Sequence, residues 1–228
     1  MTLDPGRFAV IIPTFNEAGT IRTVVRETLP YCSNIIVVDD GSQDRTLEAI
    51  RGEPVHLIHY ETNRGKGFAL RQGFRAALQQ DLDFVITMDG DGQHKPSEIP
   101  KIIAAHRATG ADLVVGQRLR CIESIRLHRA FGNLCVNFWI QVVTGIPWKD
   151  TQCGFRLIGT RLLRTVELRA DGYEIETEMI LAACRGGFQV ASVPIEVHYL
   201  DGSATSKMRP LRDTYRVIRV LYRYVWGT

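Results

Sequence analysis

The segment Phe84–Pro96, FVITMDGDGQHKP, starts as an apolar run and breaks off at Asp89, with Asp91 one glycine later. A short apolar run bounded by glycine reads as a buried strand, and ligands of open α/β sheets sit beyond the carboxyl ends of strands. Two carboxylates at that edge suit a hard divalent cation, which takes oxygen ligands and keeps coordination positions for substrate phosphates. The glycines at 90 and 92 permit close backbone approach or positive φ. Pro96, Ser97 and Glu98 predict the first turn of a helix. Alone, Asp-Gly-Asp reads as an acidic turn ahead of that helix, because short motifs recur by chance. An EF-hand is excluded: its loop needs glycine at the sixth position and glutamate at the twelfth, where this chain has His94 and Pro100.

Outward from this strand the same pattern repeats. FAVIIP (8–13) and NIIVVDD (34–40) are strand-like, the second ending in Asp39-Asp40-Gly41-Ser42. Asn16 predicts a helix cap over 17–29, and Asp44 a cap for a helix near 45–51. VHLIHY (55–60) is a third strand, and Asn63-Arg64-Gly65-Lys66-Gly67 opens a helix over 68–80. A helix over 97–108 and a strand at 111–116 follow. Strands separated by single helices imply right-handed crossovers and a mostly parallel sheet with helices on both faces. The fold class is α/β.

The second half is less regular. Residues 122–145 read as one long amphipathic helix or two, 154–159 as a strand and 173–185 as a helix. Residues 188–199 alternate as a long strand, in which Pro194 signals an edge or a bulge. The last segment, 209–226, has helical spacing, a narrow arginine stripe and a wide apolar arc. Such an arc is buried against the body, a second copy or a membrane surface.

The net charge of +3 over 228 residues conceals an asymmetry: from Thr205 onward six basic residues face one acid, Asp213. The basic character belongs to the tail, and no nucleic-acid partner is expected. Five cysteines, at 32, 121, 135, 153 and 184, never form C-x-x-C. That argues against a disulfide framework or zinc site and for a reducing compartment. The first apolar run is strand-length, and no stretch approaches the roughly 20 apolar residues of a membrane span. The expected location is cytoplasmic, with peripheral contact on the inner membrane face.

Three strand ends therefore share one edge: 13–17, 39–42 and 89–91. They offer an aromatic face, several carboxylates and a metal position, a combination that could hold a nucleotide. Neither G-x-G-x-x-G after the first strand nor a P-loop is present, and Gly65-Lys66-Gly67 is not one.

With these residues in view, the sequence resembles the family 2 glycosyltransferases of GT-A (Rossmann-like) fold. VIIPTFNEAGTI, IIVVDDGSQDRT, NRGKGFALRQGF and MDGDGQH follow that family's pattern in its order. VVGQRL, DTQCGFRLI, ETEM and VPIEVHY with Ser206-Lys207 are similar to the dolichyl-phosphate mannose synthase and polyprenyl-phosphate branch. The resemblance covers about residues 8–208, which would be the catalytic domain, with 209–228 an added helix.

It implies that Pro13, Thr14, Phe15, Glu17, Asp39, Asp40, Lys66, Asp89 and Gly90 bind the donor nucleotide. Asp89, Asp91 and Gln93 would hold Mg2+ or Mn2+. Arg118 and Arg129, with Asp150 and Arg156, would form the acceptor side, and Lys207 would close over the diphosphate. Glu178 matches an acidic element counted among the catalytic residues. The implied reaction is inverting hexose transfer, from GDP-mannose or UDP-glucose to a polyprenyl or dolichyl phosphate. A lipid phosphate is already anionic and needs arginines to hold it. An alcohol acceptor would need a base such as Glu178, Glu176 or Asp150. A soluble acceptor, a nucleotidyltransferase and a non-catalytic assembly module are the rival readings. The chain departs from the branch at its end, where several members continue into transmembrane helices and this one has a single basic, aromatic-rich helix.

Overall fold

The computed structural model describes residues 7–118, 127–198 and 210–226, without the side chains of 127–135, 210–214 and 225–226. Its centre is a seven-stranded sheet. The strands are β1 (Phe8–Thr14), β2 (Ile35–Asp40), β3 (His56–Tyr60), β4 (Phe84–Thr87), β5 (Leu113–Arg118), β6 (Arg156–Gly159) and β7 (Val190–Ile195), in spatial order β3-β2-β1-β4-β6-β5-β7. All neighbours are parallel except β6, which runs antiparallel to both β4 and β5.

The helices are α1 (Ile21–Thr28), α2 (Thr46–Ile50), α3 (Lys66–Leu78), α4 (Ile99–Thr109), α5 (Leu127–Thr144), α6 (Thr160–Thr165), α7 (Ile175–Arg185) and α8 (Pro210–Trp226). They cover both faces, so the central strands are buried on both sides and read as continuous apolar runs. In β1, Ala9 and Ile11 face a core built with α3, α5, α7 and α8, whereas Phe8, Val10 and Ile12 face one built with α1 and α4. The strand period of two makes this division. Each fully buried isoleucine contributes about 1.5–3 kcal/mol. α8 joins the first core through Val217 and Leu221.

Several boundaries differ from the sequence reading. α1 begins at Ile21 because Asn16 does not cap it. Asn16 has φ 53°, and its Oδ1 accepts from Gln43 N–H at 2.8 Å, tying the β1–α1 loop to the loop after β2. α3 starts at Lys66, two residues early. β5 shifts two residues later, to Leu113–Arg118, and β7 contracts to Val190–Ile195, on an edge where Pro194 leaves no central ladder bond unmade. The short helix α6 was not expected. Of the helix expected at 122–145, residues 122–126 lie outside the described residues. Among the described residues, no helix is long and apolar enough to cross a membrane.

Candidate active site

The parallel register brings Thr14, Asp39, Asp40 and the turn after β4 to one edge of the sheet. The loops there are stitched together. Asn16 N–H donates to Ser42 Oγ at 2.8 Å, Glu17 N–H to Thr46 Oγ1 at 2.8 Å, and Thr20 Oγ1–H to Gly90 O at 2.7 Å. Asp39, fully buried, accepts from Ser42 Oγ–H at 2.5 Å and lies 2.8 Å from His59 Nδ1. Asp40 accepts from the N–H groups of Arg64 at 2.9 Å and Gly65 at 2.7 Å, which fixes the turn that starts α3. Burial pushes the Asp40 carboxyl up, against those two hydrogen bonds.

That turn delivers Lys66 to the acidic loop. Its Nζ lies 2.6 Å from Asp89 Oδ1 and 2.7 Å from Glu176 Oε1, the latter on the first turn of α7. Burial disfavours the ammonium, yet the Asp89 and Glu176 charges outweigh it and hold the Lys66 pKa above its ordinary value. Asp89 shows the counterpart: burial opposes its charge, but Lys66, then His94, hold its carboxyl down to about 2. Asp91 is pushed up, first by burial and then by the charge of Asp89. Its Oδ1 accepts from Gln93 N–H at 3.0 Å, and Gly92 between them has φ 76°, a conformation that glycine adopts freely. His94 is buried, and burial lowers its pKa. Its Nδ1 faces Asp89 N–H at 3.3 Å, and its Nε2 lies 3.7 Å from Cys153 Sγ.

Gly154 forms the wall behind the pair. A Cβ there would lie 2.6 Å from Asp89 Oδ2 and 2.9 Å from Lys66 Nζ. Thr87 Oγ1–H holds the Gly154 carbonyl at 2.7 Å.

The residues that the resemblance puts on the acceptor side divide. Arg118 is gripped at two points by Asp150, which is almost fully buried. Burial works against the Arg118 charge, but the Asp150 hydrogen bonds and charge overcome it, and its pKa rises. The field of Arg118 reaches Asp89 as well. Arg156 has another job. It is buried and donates to three carbonyls, Cys153 at 2.9 Å, Glu176 at 2.6 Å and Thr151 at 2.7 Å. Those bonds tie the 151–153 loop to α7 and leave the guanidinium no reach toward an acceptor. Glu178 is likewise engaged elsewhere, accepting from Arg169 N–H at 3.0 Å and Ala170 N–H at 2.8 Å. Glu176, two residues earlier, is the α7 carboxylate that reaches Asp89's partner. Arg129 falls in α5, but its side chain is outside the described residues, as is Lys207 altogether.

Among the described residues, no three acidic, histidine or cysteine side chains form a metal cage. Two adjoining carboxylates nevertheless fit a divalent ion that takes its remaining ligands from water and phosphate oxygens. Asp89 already carries a cation, the Lys66 ammonium, which shows that this carboxylate accepts a positive partner.

The strand order and the reversed β6, with the paired carboxylates at one sheet edge, define a GT-A fold. The chain belongs to glycosyl transferase family 2, whose family profile matches residues 9–165, and it is a glycosyltransferase. It is 31% identical over 207 residues to an undecaprenyl-phosphate mannosyltransferase of Micrococcus luteus, covering 83% of this chain and 82% of that one. A UDP-N-acetylglucosamine–dolichyl-phosphate N-acetylglucosaminyltransferase of Methanococcus voltae is 29% identical over 235 residues, covering 92% and 94%. Among solved structures, glucosyl-3-phosphoglycerate synthase of Mycobacterium tuberculosis, bound to Mn2+, UDP and glucosyl-3-phosphoglycerate, superposes with a TM-score of 0.74 at 20% identity, covering 96% and 80%. That likeness is one of fold.

Proposed function

We propose that the protein transfers a hexose from a nucleoside-diphosphate sugar to a polyprenyl phosphate, with a divalent ion, at the cytoplasmic face of a membrane. The observation that carries this reading is the Lys66 ammonium set 2.6 Å from Asp89 at the acidic turn, where the charge of Arg118 is also felt. Cationic side chains gathered at that turn, together with a divalent ion on the carboxylates, would suit a ligand of several negative charges.

Asp89 and Asp91 would hold Mg2+ or Mn2+, which supplies charge stabilisation on the departing diphosphate. Pro13, Thr14, Phe15, Glu17 and Asp39 would bind the nucleoside, as the family resemblance implies. An acceptor phosphate oxygen attacks the anomeric carbon as the bond to the donor's β-phosphate oxygen breaks, with inversion. The electron pair leaves with the nucleoside diphosphate, and Lys66 neutralises the growing charge. Because a phosphate nucleophile is already ionised, no proton need be removed. This agrees with a site in which the carboxylates are paired with cations and Glu178 is turned away. Arg118, aimed by Asp150, would hold the acceptor phosphate, together with Arg129 and Lys207.

The lipid acceptor is supported by the names of the two sequence relatives and by an apolar surface. Phe138, Trp139 and Val142 on α5, and Tyr215, Ile218 and Tyr222 on α8, are each more than half exposed. α5 and α8 pack together and bury their other faces in one core, so these outward stripes share a side of the molecule. Aromatic and arginine side chains together suit the membrane interface.

The test is transfer of labelled sugar from GDP-mannose or UDP-glucose to a short polyprenyl phosphate with Mg2+, using Asp91→Ala as the control. Labelled lipid that requires metal and Asp91 supports the reading and names the donor. Donor binding and slow hydrolysis without labelled lipid would remove the lipid acceptor and leave a soluble phosphate in its place.

A further inference from the structure

Lys66 is shared between two acids with different futures. Asp89 lies at the loop edge, while Glu176 is inside, with its side chain 4% exposed. Glu176 Oε2 has no hydrogen-bond partner. A buried carboxylate ordinarily finds partners for both oxygens. Here one oxygen is left over directly beside a mobile type of side chain with three donors. The Tyr173 ring, 5.7 Å from Nζ, borders the same space. Glu176 itself is held from behind, since its carbonyl accepts from the buried Arg156 at 2.6 Å.

A divalent ion on Asp89 and an ammonium on the same carboxylate repel strongly at contact distance. Loading the ion therefore requires Lys66 to leave Asp89. Without an anchor, a lysine so displaced would go to solvent and lose its place near the diphosphate. With Glu176 it need only rotate.

We propose that Lys66 is a resident cation on Asp89 that the divalent ion displaces, and that Glu176 is the positioning residue that keeps Lys66 in the site once it has moved. The unpartnered Oε2 is the second seat for the ammonium. The exchange keeps Asp89 neutralised in both states and presents Lys66 to the donor's phosphates only after metal has bound. This rests on the assignment of Asp89 to the metal given above, and deepens it by giving the order of events.

The experiment measures Mn2+ binding without any sugar, by the electron paramagnetic resonance signal of free Mn2+. It compares the full chain with Lys66→Met, Glu176→Gln and the double variant. Lys66→Met is expected to bind Mn2+ about ten-fold tighter, and Glu176→Gln a few-fold more weakly, as expected for groups in direct contact. In the Lys66→Met background, Glu176→Gln is expected to change nothing, because Glu176 acts through the lysine. Unchanged or weaker binding in Lys66→Met overturns the proposal. So does an equal loss from Glu176→Gln in both backgrounds, which would make Glu176 a ligand or a plain source of field.

Should a single variant fail to fold, the double variant decides. It replaces the ion pair with neutral groups of similar shape and must bind Mn2+ more tightly than the unmodified chain; equal or weaker binding sinks the idea. The expected Mn2+ pattern in a protein that transfers no sugar upholds the lysine exchange and removes only the proposed function.

Discussion

Arg118 and Asp150 meet as a two-point ion pair, with Nε 2.5 Å from Oδ2 and Nη2 3.0 Å from Oδ1. Asp150 is almost fully buried, whereas the Arg118 side chain is 26% exposed, so the fork is clamped on its inner side and open on its outer side. A planar guanidinium held on one edge presents its remaining N–H groups in a fixed direction, which favours binding of a second oxyanion.

Asp150→Asn should therefore act on acceptor binding through Arg118. Loss of the charge-assisted pair is expected to raise KM for the phosphate acceptor roughly ten-fold or more, with about 1–3 kcal/mol lost from folding stability. Donor KM should stay near its original value. Equal rises in both KM values would show that Asp150 supports the whole loop instead of aiming Arg118.

Asp91→Asn should separate stability from function. Burial and the Asp89 charge both push the Asp91 carboxyl up, so its ionised form opposes the metal-free fold. The neutral amide is expected to leave the melting temperature unchanged or slightly raised, while transfer falls at least about a hundred-fold, a trade common at active sites. Chelation should abolish transfer by the unmodified chain, and added Mg2+ or Mn2+ should restore it. Activity that survives chelation would contradict the metal assignment.

Glu178→Gln tests the placement of that carboxylate away from the chemistry. Burial raises its pKa above 4.5 despite two backbone N–H donors. The folded state thus binds the proton more tightly than the unfolded state, and the ionised carboxylate lowers stability at neutral pH. That penalty is full above the raised folded pKa and fades as pH falls from there to about 4.5. The unmodified chain should gain stability relative to Glu178→Gln over that window, read from melting temperatures at a series of pH values. Sugar transfer should remain within about two-fold. A profound loss of transfer would return Glu178 to the catalytic set.

These contrasts show where the sequence was readable. β1, β2 and β4 announce themselves because a strand buried on both faces is an apolar run, and their acidic ends are local to them. Asp89 and Asp91 were legible for the same reason. Lys66–Glu176 was not: the pair joins the start of α3 to the start of α7 across the sheet, and no short-range pattern encodes such a contact. The glycines flanking Lys66 were the available signal, since Asp40 holds the backbone N–H groups of Arg64 and Gly65. Arg118 and Arg156 look alike in sequence, yet one meets a carboxylate at the site and the other is ringed by carbonyls. Residue type gives the chemistry available, and burial decides which partner receives it.

Gly154→Ala should damage the site without damaging the fold. The added Cβ would lie 2.6 Å and 2.8 Å from the two Asp89 carboxylate oxygens, which are side-chain ends that can move aside. The melting temperature is expected to change little, because the displaced groups are not packed core. Transfer should drop by about a hundred-fold, since a misplacement of the order of 1 Å in a positioned group has that effect. Wild-type turnover in this variant would show that Asp89 has room to work from a different rotamer.

The arginines of α8 are not equivalent. Arg216 lies 3.9 Å from Glu174 and faces the protein, whereas Arg219 and Arg223 are exposed beside Tyr215, Ile218 and Tyr222. For a surface seated on anionic lipid, each exposed arginine near the headgroups adds about 1 kcal/mol. Replacing Arg219 and Arg223 together with alanine is thus expected to weaken binding to vesicles containing anionic lipid about thirty-fold, with little effect on neutral vesicles. Trp139→Ala should weaken binding to both, because it removes apolar contact and not charge. Sedimentation of the unmodified chain as a dimer that the Trp139→Ala change dissolves, with vesicle binding unaffected by any of these substitutions, would assign the surface to self-association and not to lipid.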